Sequence, residues 1–373
     1  MTPLRCDWIH SVSEFHAISD EWDRLANLQT HRAFFDQNWF NSVLQWQPKG
    51  AQLCIALVKH QEQLIGILPL RKVSTQERGL SIQKLEWLAV PDTQFCDVIA
   101  KEEDKARVFK TFWKALSHNP FPWDKIDLYP FNKACCANKQ WLPEKHPFKI
   151  EEASQHYWIN LEKGWDDYYQ TRTRRLKKGN NHLANRLKAE GSLTLVHLYG
   201  DNNGKHQTPY LKAMERLSEQ SWKKKTHTTL ENQGPQNFMR ALIKAHQKNN
   251  LFSLWILKLN EVPIAFEYQI RDNQNCYALR SDFDEKYRAL SPGSYLNWKM
   301  LESLEHCKAY YMGPGTNAYK LRWQNEALPL YRMTAYASNI KSKLLRTLND
   351  DWLPKLRPLK NLIHQTKLKG NVS

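Results

Sequence analysis

The segment from Tyr277 to Trp323 limits the possible folds more than any other part of the chain. It begins with a predicted strand of alternating character, which is typical of a strand with two different faces. These two predicted faces carry Tyr277, Leu279 and Ser281 on one side, and Ala278, Arg280 and Asp282 on the other. A short charged loop follows the strand, so the next element has to begin close to the strand end.

The sequence Ser291-Pro292-Gly293 indicates where that next element begins. Ser291 is a good N-cap and Pro292 suits the first helical position, so a helix is expected to start there. The free N–H groups and the dipole of a helix start favour phosphate or pyrophosphate. The segment therefore predicts a strand–loop–helix anion site and, with it, an enzyme that acts on a phosphorylated donor.

Length and composition indicate a globular protein of two domains. The chain has 373 residues, 41% of them hydrophobic and 25% charged. Its first residues lack the apolar segment of a signal peptide, and no stretch approaches the ~18 apolar residues of a membrane span. Seven scattered cysteines form no C-x-x-C pair, and fourteen histidines form no H-E-x-x-H pattern. We therefore expect reduced thiols, no bound metal and a cytoplasmic location.

The net charge of +16 predicts anionic partners. Nucleic acid, an anionic membrane surface, and small molecules such as nucleotides or coenzyme A all fit such a charge. Residues 172–188 carry seven Arg or Lys and no acid, and residues 341–373 carry eight against Asp350 and Asp351. Either segment could equally be a solvated helix face.

Apolar patterns divide the chain into two similar halves. The first half has helical patterns at 13–28 and 103–117, a hairpin at 54–73, a strand pair at 85–90 and 97–100, and a strand at 125–131. The second has a basic helix at 165–188, a strand at 192–199, helices at 208–222 and 235–250, and a hairpin at 251–270. The two hairpins lie about 199 residues apart, which suggests similar domains in tandem.

The expected fold is mixed α/β, with mostly antiparallel sheets flanked by helices. A polar, proline-bearing stretch at 137–154 is the best candidate for a boundary. We expect an N-terminal domain at 1–150, a C-terminal domain at 151–335 and a basic tail at 336–373.

Four motifs carry a family likeness: RTRRLKKG from Arg172, VPIAFEY from Val262, DFDEKYRALSPGSYL from Asp282 and GPGTNAYKLRW from Gly313. They resemble the GNAT acyltransferase superfamily, in the branch associated with bacterial cellulose and exopolysaccharide synthesis. That branch is similar to the Fem-type aminoacyltransferases, which carry two GNAT domains in tandem. The likeness runs from about Trp22 to Trp323 and is specific only in the second half.

This resemblance implies an acyl-CoA co-substrate, usually acetyl-CoA, held where two central strands splay apart, and no tightly bound cofactor. The superfamily's pyrophosphate loop reads R/Q-x-x-G-x-G/A, and here Arg288 to Gly293 gives R-x-x-S-x-G. The donor-binding residues would be Arg288, Ser291, Gly293 and Ser294. Ser291 replaces the first glycine and Pro292 lacks an N–H, so fewer backbone donors remain. This departure also suits the Fem-type relatives, whose donor is aminoacyl-tRNA.

Acyl transfer needs a base for the nucleophile, polarisation of the acyl carbonyl and an acid for the leaving group. Asp282 is a candidate base or acceptor anchor; alternatively it pairs with Lys286 or Arg288 in a surface loop. Glu267 is a second candidate, with a raised pKa if buried; otherwise it faces solvent.

Lys320 and Tyr319 form the family's Tyr-Lys motif after the Gly313-Pro314-Gly315 turn. Lys320 could hold an anionic acceptor or stabilise developing negative charge. Alternatively, it forms a structural salt bridge or is exposed. Tyr319 and Tyr295 are candidate acids for the leaving thiolate; alternatively, these rings only pack, as most of the 15 tyrosines are expected to do.

The basic stretch supplies the candidate substrate-binding residues Arg174, Arg175 and Lys178, to which Arg280 is added. Arg175 and Lys178 are i,i+3 neighbours on a helix, and Arg174 and Lys178 are i,i+4 neighbours. Such a face could bind a phosphorylated or lipid-linked sugar acceptor, the 3′-phosphate of CoA, or tRNA.

Taken with the resemblance, these residues predict an acyltransferase that acts on an amino or hydroxyl group of a sugar or envelope or exopolysaccharide precursor. The N-terminal half lacks any S-P-G or G-x-G counterpart and is expected to be non-catalytic. The basic tail could attach the protein to the inner membrane face. An aminoacyl-tRNA-dependent Fem-type transferase and a non-enzymatic accessory module of a polysaccharide synthase are the alternatives.

Overall fold

The computed structural model describes residues 3–118, 120–131, 148–200, 207–221, 223–224, 228–304 and 306–352. Most of the expected linker at 137–154, and the tail beyond residue 352, lie outside the described residues. The described strands are β1 (Leu4–Ile9), β2 (Gln52–Leu53), β3 (Ile55–His60), β4 (Gln63–Leu68), β5 (Leu70–Glu77), β6 (Leu80–Trp87), β7 (Ile99–Ala100), β8 (Lys125–Phe131), β9 (Lys149–Asn160), β10 (Leu193–Tyr199), β11 (Phe252–Leu259), β12 (Val262–Asp272), β13 (Asn275–Phe283), β14 (Ala309–Pro314) and β15 (Glu326–Tyr336).

The helices flank these strands. They are α1 (Val12–Ala17), α2 (Ser19–Ala26), α3 (Gln37–Val43), α4 (Lys105–Ser117), α5 (Gly164–Gln170), α6 (Arg174–Glu190), α7 (Thr208–Glu219), α8 (Gln233–Lys248), α9 (Pro292–Glu302), α10 (Ala318–Trp323) and α11 (Ile340–Arg346). A 3₁₀ segment at Glu285–Leu290 lies between β13 and α9. No helix among the described residues is long and apolar enough to cross a membrane.

The strands form a four-stranded sheet, ordered β1-β3-β4-β7, and an eleven-stranded sheet, ordered β10-β11-β12-β13-β14-β9-β15-β8-β6-β5-β2. Only the pairs β13–β14 and β6–β8 are parallel among the described strands. The expected mixed α/β class with mostly antiparallel sheets and flanking helices is confirmed. β9 spans the expected boundary at residue 150, and β15 pairs with both β8 and β9.

Two expected elements differ from the structure. The basic helix at 165–188 is two helices, α5 and α6, because Thr173 is extended and its side chain accepts a hydrogen bond from Leu176 N. The strand pair at 85–90 and 97–100 is wrong, because β6 lies in the large sheet and β7 in the small one. β6 ends at Trp87; after it, Pro91 lacks an N–H and Thr93 N donates to Val90 O in a turn, so the predicted strand does not continue to Val90. Residues 88–98 are therefore a loop.

The alternation expected along β13 breaks at Leu279. A one-residue bulge sets Ala278 opposite Gln269 and Arg280 opposite Tyr268. Arg280 and Asp282 consequently lie on the same face as Tyr277, instead of the opposite one. This face packs against the helices of the first half and against α7 and α8.

The two halves share a continuous apolar core. Trp22, Phe34 and Trp39 from the first half are buried in the same cluster as Phe238 and Tyr277 from the second. The rings of Trp39 and Phe238 meet edge to face at 5.6 Å. Such packed aromatic contacts hold the first half against one face of the second-half sheet.

Gly66 on β4 tests how closely this fold is packed. A Cβ at Gly66 would lie 2.5 Å from both methyl carbons of Val108 on α4. We expect Gly66→Ala to lower the free energy of unfolding by about 1–3 kcal/mol through overpacking, measured by chemical denaturation. The control is Gly179→Ala on α6, because a Cβ built there has no neighbouring atom within 4 Å. The free energy of unfolding of this variant should stay level or rise. Equal effects of the two substitutions would contradict this packing.

Candidate active site

β13 and β14 run side by side for three residues and then separate. Their register pairs Asn275, Cys276 and Tyr277 with Ala309, Tyr310 and Tyr311. Beyond these pairs β13 continues to Phe283 and β14 to Pro314. The backbone groups of β13 on this side need other partners, because buried N–H and C=O groups are rarely left unbonded. We call the space between the diverging strands the split.

The loop at 88–98 from the first half reaches the split. Gln94 Nε2 donates to Ala278 O at 2.7 Å. Arg280 Nε donates to Asp92 Oδ2 at 2.6 Å, and Arg280 Nη1 donates to Thr228 O at 2.7 Å. Arg280 is thus a buried link between the halves. Its Nη2 has no hydrogen-bond partner among the described residues.

The side chain of Lys320 reaches from α10 to the end of β14. Its ammonium donates to Gly313 O at 2.8 Å and to Pro314 O at 2.7 Å, which leaves a third N–H. The turn that brings these carbonyls together needs glycine, since Gly313 and Gly315 have φ values of 77° and 90°. Lys320 is 5% exposed. Burial, assisted by the charge of Lys223, lowers the pKa of Lys320 to about 8.

Glu267 on β12 is buried, with 5% exposure, so the solvent-facing alternative is wrong. Its Oε1 accepts hydrogen bonds from Tyr310 Oη at 2.6 Å and from Gln269 Nε2 at 2.7 Å. Burial raises the pKa of Glu267 above its usual range, and burial together with the Glu267 charge raises the pKa of Tyr319. Glu267 and Tyr319 therefore share one electrostatic environment.

Asp282 is 6% exposed and lies in a different environment from Glu267. Asp282 Oδ1 accepts from Ser221 Oγ at 2.7 Å and pairs with Lys223 Nζ at 2.9 Å. The alternative partner Arg288 pairs with Glu285 instead, at 2.6 Å. Asp282 lies opposite Phe266 in the register and Glu267 opposite Ser281, so the two carboxylates occupy opposite faces of the sheet.

Lys223 is a residue that the sequence reasoning missed. Besides pairing with Asp282, it donates to Ser281 O at 2.6 Å. Its charge lowers the pKa of Lys320 and opposes the burial that raises the pKa of Glu267. Its only signal was the lysine run after Trp222, which resembles an ordinary charged surface.

The predicted donor loop differs from its expected geometry. Ser291 has φ 50° and ψ 51° and makes no side-chain capping bond, so its predicted N-cap hydrogen bond is wrong. The left-handed conformation follows from the 3₁₀ segment, whose last turn closes with Ser291 N donating to Arg288 O. Pro292 begins α9 as predicted. Ser294 N and Tyr295 N both donate to Ser291 O, so the first turn beyond Gly293 offers few free amides.

Arg174, Arg175 and Lys178 lie exposed in the first turns of α6. Arg175, Lys178 and Arg186 follow helical spacing along one face. Arg186 Nη2 donates to Ala289 O at 2.7 Å, just before the start of α9. We call this row the α6 basic face; it leads from solvent to the donor loop.

No group of three or more His, Cys, Asp or Glu side chains suited to a metal ion occurs in the described parts of the chain.

Comparison with known proteins gives a family match in the second half of the chain. Residues 184–321 match the model of the acetyltransferase (GNAT) domain. No curated protein matches the chain. The GNAT resemblance inferred from the sequence is therefore supported for this part of the chain, whereas the cellulose and exopolysaccharide branch stays a hypothesis.

Solved structures share the fold along most of the chain. FemX is 10% identical, with a TM-score of 0.56 over 92% of this chain and 99% of that one. The C-terminal domain of a putative lysylphosphatidylglycerol synthetase from Agrobacterium fabrum is 10% identical, with a TM-score of 0.54 over 88% and 95%. L-PGS from Bacillus licheniformis is 11% identical, with a TM-score of 0.51 over 91% and 96%. At such identities the likeness is one of fold.

The Asp92–Arg280 pair provides a test of how the halves are joined. Asp92→Ala leaves a buried guanidinium without its counter-charge, so we expect the free energy of unfolding to fall by about 3–5 kcal/mol. The matched control is Glu285→Ala, which breaks the exposed Arg288–Glu285 pair of equal length. That change should have little effect, because solvent screens the pair. The free energy of unfolding of both variants is measured by chemical denaturation. Similar losses in the two variants would show that Asp92 does not neutralise a buried charge.

Proposed function

We propose that the chain is a GNAT-type acyltransferase and that the acyl group is transferred in the split. The observation that carries the proposal is the separation of β13 from β14, with a buried lysine at the end of β14. Preorganised donors at the place where negative charge develops are the largest single term in many acyl transfers. The GNAT domain match over residues 184–321 supports the same reading.

The chemistry assigns different roles to the two faces of the sheet. On one face, Asp282 accepts the proton lost by the nucleophile as it attacks the acyl carbon. The third N–H of Lys320 stabilises the oxyanion that forms. On the other face, Tyr319 gives a proton to the leaving thiolate, and burial, together with the charge of buried Glu267, raises the pKa of Tyr319 so that its hydroxyl is protonated beforehand.

The proposed donor is an acyl-CoA. Its phosphates would contact the loop of Arg288, Ser291, Gly293 and Ser294, with further charge from the α6 basic face. Because Ser294 N and Tyr295 N are bonded within the loop, side chains would supply much of the phosphate binding. Arginine suits that task through paired N–H donors.

The proposed acceptor is an amino or hydroxyl group of a sugar or an envelope or exopolysaccharide precursor. Residues 1–150 would be a non-catalytic domain that forms the acceptor side of the split through Asp92 and Gln94. Residues 151–335 would carry the chemistry. This part of the proposal extends the resemblance inferred from the motifs.

A second candidate is an aminoacyl-tRNA-dependent transferase. The hydrogen bonds from Ser294 N and Tyr295 N to Ser291 O favour this candidate. A donor bound through RNA phosphates does not require free backbone N–H groups in this loop. The exposed α6 basic face and the net charge of +16 suit RNA. The shared fold with a putative lysylphosphatidylglycerol synthetase is compatible with this candidate.

Thermal unfolding with each donor separates the two candidates. Acetyl-CoA, longer acyl-CoAs and CoA should raise the unfolding temperature if acyl-CoA is the donor. Arg175→Ala and Lys178→Ala should weaken the shift, because they remove phosphate-binding charge; Lys341→Ala, on α11, is the control. If tRNA alone raises the unfolding temperature, the second candidate is favoured. This rise should disappear steeply between about 50 and 200 mM salt, because several phosphate contacts release counterions.

Replacing Lys320 tests the chemistry itself. Lys320→Met should lower kcat by about 10²–10³-fold, the usual effect of removing one oxyanion donor. Lys320 is protonated below its pKa of about 8, so wild-type activity should fall as the pH rises through that value. In Lys320→Arg the side chain stays charged, so the activity of this variant should not fall as the pH rises through that value. The control is Lys299→Met on α9, and an unchanged kcat in Lys320→Met would remove the lysine from the mechanism.

A further inference from the structure

A cavity lies between the loop at 88–98, the start of α4, the end of β8 and the start of β15. We call it the side cavity. Its volume is about 170 Å³, and an apolar cavity of about 150 Å³ is enough for one benzene molecule. The apolar part of its lining includes Phe35, Phe95, Pro130, Phe131, Leu328 and Leu330. The side cavity therefore has the size and the walls to hold one ring-sized apolar molecule.

Gln94 supplies an unbonded polar group to the lining of the side cavity. Its Nε2 donates to Ala278 O at 2.7 Å, and because that carbonyl can only accept, Oε1 is left as a separate acceptor. Gln94 is 2% exposed, and its Oε1 has no hydrogen-bond partner among the described residues. Leaving a buried acceptor unbonded costs about 1–3 kcal/mol, so this oxygen is suited to an N–H or O–H of a bound molecule.

The charged groups that line the side cavity are paired with each other. Lys105 Nζ donates to Asp97 Oδ2 at 2.7 Å and pairs with Glu102 Oε2 at 2.8 Å. Burial, assisted by the charge of Lys105, lowers the pKa of the lining residue His31 to about 4, so its ring is neutral at pH 7. An ionic ligand would lose hydration without gaining a free counter-charge. This lining therefore favours an uncharged molecule.

Two lining residues connect the side cavity to β13 at the split. His31 Nδ1 is hydrogen-bonded to Tyr277 Oη at 3.0 Å, and Gln94 is bonded to the next residue, Ala278. The ring of His31 stacks on that of Phe95 at 3.7 Å. Contacts on both sides thus hold these walls in place before any molecule binds.

We infer that the side cavity is a second ligand site and that it takes an uncharged, ring-sized molecule with one N–H or O–H donor. The donor bonds to Gln94 Oε1, and the ring packs against Phe95 and Phe131. The inference does not depend on the proposed acyl transfer, because none of the groups assigned to that reaction lines the side cavity. Since the same amide donates to Ala278 O, the bound molecule fixes the loop at 88–98 against β13.

Two bicyclic molecules of nearly equal shape test the hydrogen bond. Indole has one N–H donor, whereas benzofuran has an oxygen in the same place and no donor. Calorimetric titration of the full chain gives the dissociation constant of each. We expect one molecule of indole to bind per chain, about 3–10-fold more tightly than benzofuran, which is the effect of one hydrogen bond.

Two substitutions locate the binding. Gln94→Met keeps the length of the side chain but removes the acceptor, so indole and benzofuran should bind equally. Leu328→Trp places a larger side chain at an exposed lining position and should abolish binding of both molecules. The control is Leu344→Trp, at an exposed leucine on α11 that does not line the side cavity, and it should bind both as wild type does.

The titrations also contain the results that contradict the inference. No binding of indole to wild type, as expected if ordered water alone occupies the side cavity, would overturn it. An unchanged preference for indole in Gln94→Met would do the same. If Gln94→Met does not fold, Leu328→Trp decides, and indole binding as tight as in Leu344→Trp would place the molecule elsewhere. Benzylammonium or benzoate binding as tightly as indole would contradict an uncharged ligand.

Discussion

Beyond Tyr277, no strand of the described chain pairs with β13 on the side of β14, and side chains from elsewhere bond to two of its carbonyl groups. Gln94 bonds to Ala278 O, and Lys223 bonds to Ser281 O. Each bond draws a distant segment to the split: the loop at 88–98 from the first half, and the short segment after α7. The site is assembled because the divergence of two strands leaves groups that have to be bonded.

The charges around the split are held in three different ways. Within the described residues, Lys320 bonds to backbone carbonyls, Glu267 to neutral side chains, and Asp282 to a hydroxyl and a lysine. Burial without a counter-charge disfavours the charged form, which explains the lowered pKa of Lys320 and the raised pKa of Glu267. Shifted pKa values of this kind are common in active sites, and the charge of Lys223 acts on both Lys320 and Glu267.

The sequence predicted much of the fold, because periodicity and turn residues act locally. The hairpins, α4, β8 and the start of α9 at Pro292 agree with it. The bulge at Leu279, the break before α6 and the separation of β6 from β7 were not predicted. Each of these depends on pairing or capping that a hydrophobic pattern does not record.

The candidate site was only partly predictable for the same reason. Glu267, Asp282 and Lys320 were selected by residue type and position, but the sequence could not show that the two acids occupy opposite faces. Gln94 and Lys223 carry no motif. Their roles appear only when their hydrogen bonds to Ala278 O and Ser281 O are known, because these partners lie far away in the chain.

Hydrogen–deuterium exchange with and without donor tests the central claim, that the split holds the acyl donor. The probes are saturating acetyl-CoA and aminoacyl-tRNA, and peptides are followed by mass spectrometry. The account predicts slower exchange in peptides covering 277–284, 288–295 and 311–316 with one of the two donors, and unchanged exchange in β5 and β6. Protection confined to other regions, or no protection with either donor, would contradict it.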